Sequence, residues 1–399
     1  MAQAAYNDYL GDSYDPEKGL DIEKVKKKAQ REKDKLNIVL MGATGVGKSS
    51  LVNAVFGTNI VETGDGKPKT QELKKIVIPE KGLTLWDTKG IEAKDYQATN
   101  QQLLGNIEDG IRQACESGND DEMPHVAWLC IKESSSRVEG REFDLLQMAE
   151  KLSIPTVVVF TDTQFEKGDN FFAEAKKVID EKHRDFIAGR YVRVNSASYP
   201  LFGTTVPVAG LDKLLEMTEQ CLQESKRFSA AQRKKHLDAL LKAQAVDMEK
   251  KLARMIDGAK TKVHVAAAAA GAAGASPIPM TDAPIIAGIQ STMIYTVSSE
   301  FELELDKSIG TSLIAGLLGV TGMAQVGRAI VSNLLKFIPG VGSVAGGAIS
   351  GTTAFALTEA LGHAYIQVLA HYFNKQTGKV ELPDSTDAIL AMFKAYFKK

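Results

Sequence analysis

The sequence predicts an α/β domain with a doubly wound, mainly parallel sheet, followed by an all-α C-terminal domain. Three observations carry this. Between residues 36 and 194, short apolar runs alternate with longer helical stretches, the rhythm of parallel strands joined by crossover helices. After Leu211 the strand-like runs stop and helical spacing takes over. Beyond Lys262, three stretches (263–281, 308–327 and 337–358) carry no acidic or basic residue apart from His264. A chain of 399 residues also exceeds what one hydrophobic core organises, so at least two domains are expected.

In chain order, residues 1–20 hold Gly, Asp, Tyr and Pro without periodicity and read as a loose leader. Residues 21–35 are dense in Lys and Glu, as a solvated helix is. Together they form an expected leader segment, 1–35. The α/β domain is expected over 36–225, with strands at 37–41, 76–79, 83–86, 126–131, 156–160 and 191–194. Only a tight turn at Glu80-Lys81-Gly82 separates two of these strands, which makes that pair antiparallel.

Residues 211–262 read as long charged helix with Leu237, Leu240, Leu241 and Met248 at helical spacing, so 226–262 is expected to be a connecting helix. An apolar, Gly/Ala-rich helical domain fills 263–399. Each of its charge-free stretches is long enough to span a bilayer. They are also rich in Ala and Gly and interrupted by Pro277, Pro279, Pro284 and Pro339, as buried helices of a bundle would be. Both alternatives stay open at this level.

Composition removes several classes. The 48 basic and 50 acidic residues leave a net charge of −2, so no basic footprint points to nucleic acid. Cys115, Cys130 and Cys221 are too few and too widely spaced for a disulfide framework or a zinc site. The first thirty residues lack the apolar run of a signal peptide, which points to an intracellular, cytoplasmic chain, with membrane association through the helical domain as an alternative. The six histidines (His125, His183, His236, His264, His363 and His371) are scattered without ligand spacing and are expected to be structural.

The sharpest motif is Gly42-Ala43-Thr44-Gly45-Val46-Gly47-Lys48-Ser49, a P-loop set between an expected strand and an expected helix. Its glycines let successive backbone N–H groups and the helix N-terminus face phosphates. Lys48 adds a point charge and Ser49 a hydroxyl for magnesium. Gly42, Thr44, Gly45, Val46, Gly47, Lys48, Ser49 and Ser50 are the expected phosphate-side contacts.

A second magnesium-side element follows in Leu83-Thr84-Leu85-Trp86-Asp87-Thr88-Lys89-Gly90. Asp87 would hold the metal through water and the Gly90 N–H would sense the terminal phosphate. Between the two, Gly64-Asp65-Gly66-Lys67-Pro68-Lys69-Thr70 reads as a flexible stretch. Its Thr70 is the candidate to complete the magnesium shell and, with Lys48, the catalytic pair; Thr63 competes for the metal position.

This series resembles the Era, TrmE and septin-like GTPases over roughly residues 36–223. The resemblance implies a G domain that binds GTP or GDP with Mg2+. It also implies base recognition by an Asn/Thr-Lys-x-Asp element after a strand, where this chain has Thr161-Asp162-Thr163-Gln164. Thr161 fits, Asp162 stands in the Lys position and Gln164 in the Asp position, so a shifted register would let Asp162 contact guanine. Ser196-Ala197-Ser198 occupies the place of the last element, Ser-Ala-Lys.

The position after Gly90, where Ras-like enzymes carry the glutamine that orients water, is Ile91. Intrinsic hydrolysis is therefore expected to be slow, or completed by another loop, a second protomer or a partner. The C-terminal half resembles the YcjF-type helical domain and, more loosely, the immunity-related GTPases. For that helical domain, coupling to a membrane or to another copy of the chain is implied, since small-residue faces let helices approach closely; a homodimer through the G domain is a separate expectation. The expectation is a nucleotide switch. A membrane-associated, self-assembling scaffold and an ATP-binding or nucleotide-inactive interaction module are the alternatives.

Overall fold

A computed structural model describes residues 2–15, 18–57, 65–68, 73–88, 100–163, 168–201, 203–275, 282–305, 307–317 and 351–397. The chain divides into two compact units, one formed by Met1–Lys33 with Leu252–Lys399, the other by Asp34–Lys251.

The leader is ordered where the sequence suggested none. Helix α1 (Ala2–Leu10) is followed by a single 3-10 turn and a hairpin of Tyr14–Asp15 with Gly19–Leu20. Helix α2 (Ile22–Arg31) then starts at Asp21, whose carboxylate accepts from the N–H groups of Glu23 and Lys24. Tyr6 and Leu10 are buried within their unit, and this burial stabilises a helix whose sequence alone lacks a clear apolar stripe.

The Asp34–Lys251 unit is built on strands β1 (Leu36–Met41), β2 (Asp65–Pro68), β3 (Leu73–Ile78), β4 (Leu83–Thr88), β5 (Val126–Lys132), β6 (Thr156–Thr161) and β7 (Tyr191–Val194). They form one seven-stranded sheet in the order β2-β3-β4-β1-β5-β6-β7. The pairs β4–β1, β1–β5, β5–β6 and β6–β7 are parallel, and β2–β3 and β3–β4 are antiparallel. Residues 65–68, expected as part of a flexible stretch, instead form the edge strand, because their backbone completes the ladder of β3.

The interleaved helices are α3 (Lys48–Phe56), α4 (Asn100–Glu116), α5 (Gly140–Lys151), α6 (Gly168–Ile187), α7 (Leu211–Glu224) and α8 (Ala230–Ala243). Strands β1 and β6 are buried at every position, as strands covered on both faces must be. One face packs Ile38, Leu40, Trp128 and Val159 against Leu51 and Phe56 of α3, Leu214 of α7 and Leu240 of α8. The other packs Val39, Met41, Leu129 and Phe160 against Ile107 of α4, Leu145 of α5 and Ile179 of α6. The α/β expectation, with strands near every expected position, is met.

The single long helix expected over residues 211–262 is three helices. Helix α7 ends at Ser225, where ψ turns to 120°. Helix α8 opens with a capping box between Ser229 and Gln232 and ends at Gln244, also extended. The Gln244 side chain accepts from the N–H groups of Val246 and Asp247 at 2.6 and 2.7 Å, closing the turn before α9 (Met248–Gly274).

In the other unit, α9 is joined by α10 (Asp282–Glu300), α11 (Lys307–Leu317), α12 (Gly351–His371) and α13 (Thr386–Phe397). Helix α10 runs through the middle, against α1, α2, α11 and α12. Some of its polar residues bond inside the bundle: Ser298 Oγ and Tyr365 OH lie 2.7 Å apart, and Gln290 Nε2 donates to Thr358 Oγ1 at 3.1 Å, while Gln290 Oε1 and Thr292 Oγ1 are buried without a hydrogen-bond partner among the described residues. A two-stranded hairpin, Phe373–Asn374 with Lys379–Val380, breaks the expectation that strands end before Leu211. Among the described residues no helix is long and apolar enough to cross a membrane. Residues 318–350, which hold half of the 308–327 stretch and most of the 337–358 stretch, lie outside the described residues.

Candidate functional site

Parallel strands bring their carboxyl ends to one edge of the sheet, and ligands of open α/β sheets bind there. The loop 42–47 leaves the end of β1 and feeds α3 at Lys48. Gly42, Gly45 and Gly47 have φ of 130°, 76° and 93°, values that residues with a Cβ rarely adopt. Gly42 is further constrained: a Cβ there would stand 2.4 Å from the Cys130 carbonyl oxygen of β5. The glycines of the motif are thus demanded by backbone shape and, at Gly42, by the neighbouring strand.

Inside the loop, the buried Lys48 Nζ donates to the carbonyl oxygens of Gly42 at 2.9 Å and Ala43 at 3.1 Å. Asp87 Oδ1 lies 3.7 Å from the same ammonium. That carboxylate oxygen is buried without a hydrogen-bond donor. Burial raises the Asp87 pKa above the usual carboxylate value, and the charge of Lys48 opposes the rise. Thr88 Oγ1 donates to Leu40 O at 3.0 Å and ties the end of β4 to β1. Ser49 and Ser50 are exposed in the first turn of α3, Thr44 and Gly45 are exposed in the loop, and Val46 is buried. A buried carboxylate oxygen without a hydrogen-bond donor, beside a helix N-terminus with an exposed hydroxyl at Ser49, is a donor set that fits a hydrated Mg2+.

The third motif reaches the same loop. Thr161 ends β6 and its Oγ1 donates to Val46 O at 2.6 Å, so the expected first position of base recognition is fastened to the phosphate loop. Asp162 follows with φ 59°, in the left-handed region. Its Oδ2 accepts from Ser134 Oγ at 2.8 Å and lies 3.4 Å from Lys132 Nζ. The β7 end carries Ser196, half-buried, and Ala197, exposed; Asn195 before them is held by Ala209 through paired backbone hydrogen bonds.

The fold therefore gathers Gly42 to Ser50, Asp87, Thr161, Asp162 and the Ser196-Ala197 loop at the carboxyl ends of β1, β4, β6 and β7. Thr63, Thr70, Gly90, Ile91 and Gln164 lie outside the described residues. Lys132 and Ser134 escaped the sequence reading because they belong to no motif; the signal that could have found them is the unusual Asp162, which calls for a cation nearby.

Two histidines that looked scattered are stacked. The rings of His125 and His236 lie 3.6 Å apart at 17°, with Phe228 edge-on to both. With Asp120 they bring ligand atoms within 4.8 Å of one another. The tautomer closes this cluster to a metal. Asn37 N–H donates to His125 Nδ1 at 3.1 Å, so the one ring proton of a neutral imidazole sits on Nε2, which donates to Asp120 O at 3.0 Å. His125 then has no lone pair left to coordinate.

A wrapped glycine loop between a buried parallel strand and a helix, a lysine turned into it and an aspartate at the end of the neighbouring strand are the features of a P-loop nucleotide-binding domain. Comparison with known proteins agrees. Residues 37–162 match the family described as 50S ribosome-binding GTPase, and residues 244–395 match a domain of unknown function, DUF697. The chain thus carries a GTPase domain followed by a DUF697 domain, the latter over the region that resembled the YcjF-type helical domain.

Among curated proteins, magnetosome membrane protein 22 of Magnetospirillum gryphiswaldense is 34% identical over 131 residues, 33% of this chain. The chain spans 64% of that relative's length. Among solved structures, a probable GTP-binding protein engB is 17% identical, with 47% of this chain and 99% of that chain covered and a TM-score of 0.34. The LeoA bacterial dynamin GTPase from ETEC is 14% identical, covers 99% of this chain and 86% of its own, and has a TM-score of 0.34.

Proposed function

We propose that the chain is a GTP-binding switch with slow, Mg2+-dependent hydrolysis, whose nucleotide state is relayed to its helical domain. One observation carries this: Lys48 and Asp87 converge at 3.7 Å inside a loop whose backbone is already wrapped for phosphate. Lys48 would leave the Gly42 and Ala43 carbonyls for the β- and γ-phosphates, while the backbone N–H groups of 45–49 hold the phosphate oxygens. Ser49 and Asp87, with Thr70, would hold Mg2+, which when bound neutralises phosphate charge. Thr161, Asp162, Gln164, Ser196 and Ala197 would surround the base, and Gly90 would register the terminal phosphate. Ile91 offers no hydrogen bond to water, which supports slow hydrolysis unless a second protomer, docked through the G domain, or a partner supplies the group.

The test is calorimetric titration of the full chain in Mg2+ with GDP, a GTP analogue, ADP and an ATP analogue, beside Lys48→Ala. Guanine nucleotides are expected to bind the wild type and lose at least about 100-fold in affinity in Lys48→Ala, since losing a charge-assisted phosphate contact costs about 3 kcal/mol. Adenine preference, or no binding, would overturn the reading.

A second reading, membrane attachment through the helical domain, is supported by the membrane-protein name of the magnetosome relative. Sedimentation with vesicles tests it.

A further inference from the structure

The base-recognition element departs from its motif at the second and fourth positions, and the structure shows what surrounds the second. Lys132 closes β5 and stands directly opposite Thr161 of β6 in the parallel register. Alternation along β5 puts Lys132 on the face of Trp128 and Cys130, the face covered by α3 and therefore by the helix that the phosphate loop opens. Its ammonium lies 3.4 Å from Asp162 Oδ2, and the Ser134 hydroxyl donates to the same oxygen at 2.8 Å. A cation thus occupies the neighbourhood where the motif's lysine is missing, delivered by the adjacent strand, and a carboxylate takes the lysine's own place.

We propose that Lys132 and Asp162 form a split guanine-recognition element, in which Lys132 and Ser134 orient Asp162 and the Asp162 carboxylate accepts from guanine N1–H and its exocyclic amine. The placement supports this. Thr161 Oγ1 is bonded to Val46 O of the phosphate loop, so residue 162 lies one peptide beyond a fixed point at the phosphates, on the way to the Ser196-Ala197 loop at the next strand. A carboxylate accepts up to about four hydrogen bonds, so contact with Ser134 and Lys132 does not by itself bar donors from a base edge. Adenine presents an acceptor at N1, which would face the carboxylate with no proton between them. The pair is therefore a discriminating device: it favours guanine by two donated hydrogen bonds and rejects adenine by repulsion. Lys132 is a positioning residue here, acting through Asp162.

This inference rests on the GTP-binding reading above, and the experiment separates the two. GDP, XDP and ADP are titrated calorimetrically in Mg2+ into the full-length wild type, Asp162→Asn, Lys132→Met and the double variant. The wild type is expected to prefer GDP. In Asp162→Asn, an amide that tolerates the left-handed backbone of this position, GDP is expected to weaken by at least about 100-fold, two charge-assisted hydrogen bonds being lost, while XDP, whose O2 accepts from the new amide, gains affinity. Lys132→Met should weaken GDP about tenfold in the wild type and less than about twofold in the Asp162→Asn background, because its effect passes through the carboxylate.

A gain of XDP binding requires a folded site, so a misfolded variant cannot imitate the result. Unchanged GDP and XDP affinities in Asp162→Asn, loss of GDP without gain of XDP, or an equal effect of Lys132→Met in both backgrounds would each overturn the split element. A wild type that binds no guanine nucleotide would overturn the GTP-binding reading beneath it.

Discussion

A single histidine shows how a side chain without catalytic work sets a physical property of the domain. His125 is fully buried, accepts from Asn37 N–H and is stacked on His236. Burial above all, with the neighbouring His236 and the Arg227 charge adding to it and the Asp120 carbonyl opposing, pushes its pKa well below the usual histidine value. His236 is lowered too, by burial, with Asp120, Asp121 and Asp34 opposing. The sign follows. Below about pH 6.5 the unfolded chain takes up a proton that folded His125 refuses, so stability is lost as pH falls through that value, by at most about 1.4 kcal/mol per pH unit for each such group. Thermal unfolding followed from pH 7.5 to 5 is expected to show the midpoint falling below pH 6.5. In His125→Gln, whose amide oxygen accepts from Asn37 without titrating, the slope should be shallower even though the midpoint at pH 7.5 is lower. Equal slopes in both proteins would show that the acid loss arises elsewhere.

At the scale of elements, helix α8 is the clearest case of local chemistry placing tertiary contacts. Ser229 accepts from Gln232 N–H at 3.3 Å, and Gln232 Oε1 accepts from Ser229 N–H at 2.9 Å. This reciprocal cap starts the helix that delivers Leu240 to the core, His236 to the histidine stack and Lys242 to Asp34 at 2.8 Å. Ser229→Ala is expected to cost about 1 kcal/mol, read as a lower urea midpoint at unchanged slope, with Ser229→Asp restoring it.

The same helix marks where sequence reading stops. Strands β1, β5 and β6 were legible because burial on both faces demands continuous apolar runs, and the phosphate loop was legible because its glycines answer to backbone sterics. The break at Gln244 was hidden, since Leu237, Leu240 and Met248 keep a helical spacing across it. The leader helix Ala2–Leu10 owes its form to partners distant in sequence, and the short edge strand Asp65–Pro68 to pairing with Lys74–Val77, neither of which shows as an apolar pattern in the segment itself. In the site, motif residues were found and non-motif residues were not. Lys132 and Ser134 matter through proximity to Asp162, which only the β5–β6 register reveals.

Over the whole molecule, two units with different chemistry share one chain. The Asp34–Lys251 unit carries every described residue of the nucleotide site. The other holds the helices whose low charge left bilayer and bundle both open. Among its described helices, Ser298 bonds with Tyr365 and Gln290 with Thr358 inside the protein, and none is long and apolar enough to span a bilayer. Contact with a membrane is therefore proposed at the level of the surface and of residues 318–350. Sedimentation with vesicles of mixed zwitterionic and anionic lipid is expected to carry the full chain into the pellet, more with a GTP analogue than with GDP. A chain that stays in the supernatant with every nucleotide would remove the membrane reading and leave the switch to act on a protein partner.

The left-handed backbone at Asp162 limits how this nucleotide site can change over evolution or by design. Asp, Asn and Gly tolerate such a conformation, whereas a lysine there would carry a penalty of about 1–2 kcal/mol before any contact is counted. Restoring the ordinary threonine-lysine pair by one substitution would thus leave the new ammonium on a strained backbone beside Lys132, two cations where the site is arranged for one. Return to the common motif would have to pass through Lys132 and the local backbone together. On the proposed split element, Asp162 would change only together with Lys132 and Ser134, which it contacts.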